Sequence, residues 1–212
     1  MFKVGLSGNL CSGYEDVATQ FKKIGVPVFD ADIVLKFMIH YDEVISKEVR
    51  IKFGETSFQN GFLSEKAFNS TEKLNLLLDM MNLKLIQSYE KFRLKHKESP
   101  YTIFKFALLF EREFDLSMNF NINTFTPKDD RILRLKESEG LPFIEAYSLI
   151  ENGPDDILKN KLATHIIHNY EESKVGIDVQ VGRIDKMLKE KVEPNKGLDS
   201  LDINSIHKNV FI

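Results

Sequence analysis

The chain has 212 residues, of which 42% are hydrophobic and 29% charged, enough to build one domain with a buried core and a lid or small subdomain. Its formal net charge of -3 argues against binding nucleic acid by bulk electrostatics, because that binding needs a basic surface that displaces counterions. The single cysteine, Cys11, excludes a disulfide framework or a cysteine-based zinc site built from this chain alone.

The first predicted elements are a strand, a glycine-rich loop and a helix. Residues 2–6 form a short apolar run, and apolar residues at helical spacing begin at Val17. Gly25 predicts the end of this helix, and residues 26–29 predict a second strand. Asp30 and Asp32 follow at once, so we expect two carboxylates at the carboxyl end of a strand, where open α/β sheets bind ligands. Capping of the next helix by Asp30 is compatible with that role.

The rest of the chain alternates between helices and strands. Residues 33–97 predict a helical insertion with a loop over 54–61 and a long helix over 71–95. Further strands are predicted over 101–106, 119–125 and 165–167, and further helices over 144–150, 155–162 and 179–191. This alternation predicts an α/β fold with a doubly wound, parallel, five-stranded sheet. We expect the domain to span residues 1–191 and a C-terminal tail to span 192–212.

The loop after the first strand has the glycine spacing of a P-loop, which wraps phosphates in backbone N–H groups. The predicted phosphate-binding residues are Gly8, Asn9, Leu10, Cys11, Ser12 and Gly13. A P-loop continues with a Lys that contacts the phosphates and a Ser or Thr that contacts Mg²⁺, but here Tyr14 and Glu15 stand at those positions. A cation is replaced by a phenol and a carboxylate is added, so we predict weak ATP binding.

These residues carry a resemblance to a known family. Without gaps, residues 5–32 resemble the start of dephospho-coenzyme A kinases, Gly-Leu-Thr-Gly-Gly-Ile-Gly-Ser-Gly-Lys-Ser-Thr-Val-Ala running on to Val-Ile-Asp-Ala-Asp. Later blocks agree in order and spacing: residues 60–63 are similar to Asp-Gly-x-Leu, residues 107–111 to Pro-Leu-Leu-Phe-Glu, and residues 159–169 to Lys-x-x-x-Ala-Asp-x-Val-Ile-x-Asn. The similarity extends to about residue 190 and implies the P-loop kinase fold.

The resemblance also implies a reaction, in which ATP with Mg²⁺ phosphorylates the ribose 3′-hydroxyl of dephospho-coenzyme A. Asp32 and Asp30 would then be the catalytic carboxylates, since a carboxylate within reach of the attacking hydroxyl is the usual base in such transfers. The family keeps a lid, Arg-Leu-x-x-Arg-Asp-Gly-Leu, which corresponds here to residues 134–141. Arg134 is retained as a nucleotide-binding residue, but Ser138 stands at the second arginine.

Three functional hypotheses follow. The first is a catalytically impaired relative, a pseudokinase retained as a binding or assembly module, with no cofactor. The second is an active divergent kinase that uses ATP and Mg²⁺, with a displaced lysine replacing the lost one; Lys3, Lys22, Lys23 and Lys136 are candidates, and Lys136, in the lid over about 134–142, is the best of them. The third is a protein whose terminal residues 210–212 dock on a protein partner.

The expected ligand is a nucleotide or a molecule like coenzyme A. We expect no resident metal outside an active kinase and no membrane partner, since no apolar run approaches membrane-spanning length. Residues 1–6 are soon followed by polar residues and do not resemble a signal peptide, which favours a cytoplasmic location.

Overall fold

A computed structural model describes residues 1–54, 58–59, 62–63 and 71–196 of the protein. The predicted tail beyond residue 196, including the proposed docking residues 210–212, lies outside the described residues. So do residues 60 and 61 of the block that resembles Asp-Gly-x-Leu.

The main sheet has five parallel strands, as predicted. They are β1 (Phe2–Gly8), β2 (Val28–Asp30), β5 (Tyr101–Lys105), β6 (Phe120–Phe125) and β7 (His165–His168), in the spatial order β2-β5-β1-β6-β7. The short strands β3 (Phe58–Gln59) and β4 (Phe62–Leu63) form a separate antiparallel pair. The prediction of a plain loop over 54–61 was therefore wrong at β3, because strands of two residues are too short to produce a periodic pattern.

Eight α-helices complete the described fold. They are α1 (Tyr14–Lys23), α2 (Ala31–Tyr41), α3 (Glu43–Phe53), α4 (Thr71–Lys95), α5 (Lys128–Glu139), α6 (Phe143–Glu151), α7 (Asp156–Leu162) and α8 (Ile177–Lys196). A 3₁₀ helix spans Phe114–Ser117. In the described residues, the helical insertion consists of α2, α3 and α4, with the antiparallel pair of β3 and β4 between the last two. None of the described helices is both long and apolar enough to cross a lipid bilayer.

Helix boundaries follow from local chemistry. After α1, Gly25 adopts a φ of 84°, a left-handed conformation that ends a helix at little cost only for glycine. The side chain of Asp30 caps α2 by accepting a hydrogen bond from the Ile33 backbone N–H at 3.1 Å. Asp42 caps α3 in the same way through the Ile45 N–H at 3.1 Å, and Asp155 caps α7 through Ile157.

Each face of the sheet is covered by its own apolar core. Successive side chains of a strand point to opposite faces, so β5 contributes Ile103 to one core and Phe104 to the other. The first core is completed by α1 and α8, for example through Phe21 and Leu188, and the second by α2, α3 and α4. Burial on both faces fixes the positions of the strand ends, and therefore of the polar residues that follow them.

The carboxyl edge of the sheet brings together residues that are distant in sequence. Asp30 at the end of β2 lies beside Lys105 at the end of β5, and Lys105 lies beside Leu6 of β1. The P-loop-like segment leaves β1 two residues later. The predicted carboxylates and the glycine-rich loop are thus neighbours at one edge of the sheet.

Candidate functional site

The loop between β1 and α1 has the tight backbone of an anion cradle. Cys11 and Gly13 adopt positive φ values of 60° and 82°, and the Ser12 N–H donates a hydrogen bond to the Asn9 carbonyl at 2.9 Å. A Cβ atom at Gly13 would overlap the amide nitrogen of Asn169. The start of α1 has no side-chain cap, so its first N–H groups keep the capacity to bind an anion.

Side chains from α5 and α7 hold the loop in place. The amide of Asn9 donates to the Pro154 carbonyl at 2.8 Å and to the Asp156 carboxylate at 2.6 Å. Arg131 forms an ion pair with the same carboxylate and also donates to the Leu10 carbonyl at 3.4 Å. Because Arg131 is only 2% exposed, its charge is used to fix the loop and is withdrawn from solvent.

Arg134, which the family resemblance predicts as a nucleotide-binding lid residue, lies against the loop. Its guanidinium donates to the carbonyls of Cys11 at 3.3 Å and Asn169 at 2.7 Å, and to the Thr126 hydroxyl at 3.3 Å. Lys136, the second predicted lid residue, is exposed on α5 and does not line the cavity described next. Most of the predicted lid is the carboxyl-terminal part of α5, which ends at a left-handed Gly140.

A cavity of about 540 Å³ opens over the loop. Of the predicted phosphate-binding residues, Gly8, Asn9, Leu10, Cys11 and Gly13 line it, whereas Ser12 is buried beneath the loop. The other walls come from Tyr14, Glu15, Asp16, Ala107, Leu108, Arg134, Ser138, Pro154 and Lys159. The serine at the second lid arginine position therefore faces the same space as the loop.

Beside the cavity, Lys105 is surrounded by three carboxylates. Its Nζ lies 2.8 Å from Glu15 Oε2, 2.8 Å from Asp30 Oδ2 and 3.4 Å from Asp32 Oδ2. The lysine is 1% exposed, so its charge depends on these partners. Burial alone would lower the pKa of Lys105, but hydrogen bonds to Asp30 and Glu15 and the charge of Asp32 raise it above its usual value.

Tyr14, at the P-loop lysine position, is part of the same network. Its hydroxyl donates a hydrogen bond to Asp32 Oδ2 at 3.2 Å, and its ring centroid lies 4.9 Å from Lys105 Nζ, within cation–π range. Burial, followed by the negative charges of Asp32 and Glu15, raises the pKa of the phenol well above its usual value. The phenol is therefore neutral at physiological pH and supplies no positive charge.

The predicted catalytic carboxylates are both engaged by neighbours. Asp32 accepts the Tyr14 hydroxyl and also the Ala107 N–H at 3.2 Å, while Asp30 caps α2 and accepts Lys105. Burial raises the pKa of Asp32, and the charge of Lys105 and the hydrogen bond from Ala107 only partly oppose this. The predicted capping role is confirmed for Asp30, whereas the acid–base role of the two carboxylates stays a prediction.

A second buried lysine, Lys159, forms part of the cavity wall. Its Nζ donates to the Ala107 carbonyl at 2.6 Å and to the Ser7 hydroxyl at 3.3 Å, and lies 3.5 Å from Glu111 Oε1. Burial lowers the pKa of Lys159, an effect that the Glu111 carboxylate partly offsets. Lys159 matches the lysine that begins the family's Lys-x-x-x-Ala-Asp block, but the resemblance did not predict that this side chain lines the cavity.

Sequence reasoning missed Lys105, Arg131 and Asp156. Lys105 had a usable signal: it is the only charged residue in a run of residues 101–106 that predicts a fully buried strand. A charged side chain at the end of such a strand is almost always paired. Arg131 and Asp156 carried no comparable signal, because each lies on an amphipathic helix where charged residues are usual.

Comparison with known proteins agrees with this geometry. A family model described as dephospho-CoA kinase matches residues 2–174. The chain is 27% identical over 192 residues to a dephospho-CoA kinase of Buchnera aphidicola, covering 80% of this chain and 91% of that protein. It is 29% identical over 178 residues to a dephospho-CoA kinase domain-containing protein of Danio rerio, covering 80% and 78%.

Two solved structures share the fold. TT1252 from Thermus thermophilus superimposes with a TM-score of 0.71 at 21% identity, covering 88% of this chain and 96% of that one. Dephospho-CoA kinase from Campylobacter jejuni gives a TM-score of 0.63 at 16% identity, with 89% and 98% covered. The five-stranded parallel sheet is the fold that these two structures share with the chain, and the match of the family model over residues 2–174 establishes that the chain belongs to the dephospho-CoA kinase family, a family of ATP-dependent phosphotransferases.

Proposed function

We propose that this chain is a catalytically impaired member of the dephospho-CoA kinase family, retained as a binding or assembly module. The observation that carries the proposal is the engagement of Lys105, which lies closest to the altered P-loop positions but is held by three carboxylates. Phosphoryl transfer depends mainly on positioning and on cations that neutralise the phosphates. A lysine held in this way is a poor replacement for the missing one.

The other cations near the loop support the same conclusion. Arg134 is held by backbone carbonyls and Arg131 by Asp156, so neither is directed freely into the cavity. Near a protein surface, a pair of unit charges about 4 Å apart interacts by roughly 4 kcal/mol. The attraction between a P-loop lysine and the phosphates is absent here, and the carboxylate of Glu15 repels them instead. The side chain of Glu15 is 63% exposed, so solvent screening reduces this repulsion, but both changes weaken the binding of a triphosphate.

The second candidate function is an active but divergent kinase of dephospho-CoA or another nucleotide. Lys159 is the observation that favours it, since this lysine lines the cavity and could supply the displaced cation. Its donation to the Ala107 carbonyl and its proximity to Glu111 make the first candidate the better supported one. The assay that closes the Discussion decides between the two. Docking of residues 210–212 on a protein partner stays a prediction.

The experiment restores the two P-loop positions together, by Tyr14→Lys with Glu15→Ser. We expect the affinity for ATP with Mg²⁺, measured by titration calorimetry, to rise by on the order of tenfold or more, because one cation is gained and one carboxylate is lost. The matched control is Tyr41→Lys with Glu98→Ser, which makes the same charge change at two residues remote from the loop.

Two results would contradict the proposal. The restored variant could gain no affinity although it is folded, which would show that the substitutions are not what weakens the loop. An equal gain in the control pair would attribute the effect to net charge rather than to the loop.

A further inference from the structure

The family uses Mg²⁺, and the side chains at the corresponding place in this chain show whether that ion would fit there. In a P-loop the side chain two positions after the last glycine contacts Mg²⁺, and here that residue is Glu15. Glu15, Asp30 and Asp32 present carboxylate oxygens, the ligands that Mg²⁺ prefers. By their chemistry alone, these three carboxylates would therefore suit a divalent ion.

The space among these oxygens is already filled by a cation. The Lys105 ammonium lies 2.8 Å from both Glu15 and Asp30, a normal distance for a charge-assisted hydrogen bond. Mg²⁺ requires six oxygens at about 2.0–2.1 Å and would lie in contact with the ammonium, a like charge that is buried among the same oxygens. Across the described ranges, no group of three or more His, Cys, Asp or Glu residues is arranged to hold a metal. The residues present do not fit Mg²⁺.

We propose that the Lys105 ammonium takes the position of the divalent ion in this P-loop, as a cation built into the fold. The side chain that would contact the metal instead contacts Lys105, and the two carboxylates at the end of β2 and the start of α2 complete its shell. The cluster then has a cation of its own among the three carboxylates without a metal, whether or not the chain turns over a substrate.

Lysine suits this role because of its geometry and its surroundings. An ammonium is a compact point charge with three donors, and three carboxylates are available to accept them. The Tyr14 ring, 4.9 Å from Nζ, covers a further side of the cation. A loss of Lys105 would leave three carboxylates close together without a counter-charge, which is the situation that a divalent ion relieves.

The test is a titration of the full chain with Mn²⁺, followed by the electron paramagnetic resonance signal of the free ion. We expect the unaltered protein to leave this signal unchanged up to millimolar Mn²⁺. Lys105→Met, which keeps the side-chain length and removes the charge, should remove about one equivalent of free Mn²⁺, and Mg²⁺ should compete for it. The matched control is Lys84→Met, because Lys84 pairs with the single carboxylate of Asp42 and its removal creates no site.

The unaltered protein alone also tests the proposal, so it does not depend on the folding of Lys105→Met. Its melting temperature should be the same in MgCl₂ and in EDTA at matched ionic strength, since a ligand that binds the folded state raises stability. Binding of one equivalent of Mn²⁺ by the unaltered protein, lost in Glu15→Gln, would overturn the proposal. So would a folded Lys105→Met variant that binds no more Mn²⁺ than Lys84→Met. Neither result depends on nucleotide binding or turnover, so a failure of this proposal and a failure of the proposed function can be told apart.

Discussion

Tyr14 shows how one side chain changes the chemistry at a P-loop position. A lysine there would place an ammonium among the phosphates, whereas the phenol instead donates to Asp32 and lies against Lys105. The change therefore removes a charge from the loop and adds a hydrogen bond to the carboxylate network beside it. Glu15 makes a complementary change, because it supplies an acceptor to Lys105 where a P-loop has a hydroxyl.

Removing only the Tyr14 hydroxyl tests whether it stabilises this network. Tyr14→Phe should lower the free energy of unfolding by about 1 kcal/mol, because Asp32 loses a partly buried hydrogen bond while the aromatic ring stays over Lys105. Urea denaturation measures the change. The control is Tyr147→Phe, since the Tyr147 hydroxyl forms no hydrogen bond to a described residue. An equal effect of both substitutions would show that the Tyr14 hydroxyl has no special contribution.

Residue by residue, the sequence predicted the parts of the site that form a local motif. The loop residues and the Asp30–Asp32 pair are close in sequence, so glycine spacing and strand ends were enough to predict the place of the loop and the carboxylates, although Ser12 does not line the cavity. Lys105 was missed as the central cation because its contacts join residues 15, 30, 32 and 105, which only the packing of β2, β5 and α1 brings together. Four other lysines, chosen by position in the sequence, were predicted instead.

At the scale of elements, the hydrophobic pattern predicted the helices and strands that are long or buried on both faces. The long helix over 71–95 agrees with α4, and the predicted strands over 101–106 and 119–125 agree with β5 and β6 to within one residue at each end. The last helix extends beyond its predicted ends, as Ile177–Lys196, since boundaries depend on capping contacts that periodicity does not record.

The junction of α2 and α3 gives a prediction at this scale. Asp42 caps α3 and also accepts a hydrogen bond from Lys84 of α4, and these contacts lower the pKa of its carboxyl, with the Lys84 bond as the larger cause. Asp42→Ala should cost about 1 kcal/mol of unfolding free energy at neutral pH, the usual value of a helix N-cap. Urea denaturation of both proteins at several pH values measures the difference.

The pH dependence of that difference has a definite sign. Because the folded-state pKa of Asp42 is lowered, its contribution is fully present above the unfolded-state pKa and is lost as the pH falls through the folded-state pKa. Asp42→Asn keeps the cap but removes the charge, so its stability relative to Asp42→Ala should not depend on pH in this acidic range. A wild-type advantage that grows as the pH falls would contradict this assignment.

At the scale of the whole molecule, the chain has the fold of its family, and the proposal is that the charges at the predicted phosphate site are rearranged. The sheet order β2-β5-β1-β6-β7 and the two apolar cores hold the loop, the carboxylates and the cavity in one place. Fold and site chemistry can diverge in this way because the cores lie on the faces of the sheet, and the altered residues lie at its carboxyl edge. Membership of the family therefore establishes the architecture but leaves the activity of this chain to experiment.

The rate of phosphate transfer from ATP to dephospho-CoA, with Mg²⁺ present and both substrates in excess, tests the central claim most directly. The Campylobacter jejuni dephospho-CoA kinase, assayed side by side, provides the reference. Because loss of a phosphate-stabilising cation is worth roughly 10³ to 10⁵ in rate, we expect this chain to be slower by at least about 10³. A rate within about tenfold of the reference would contradict the account and establish the divergent kinase instead.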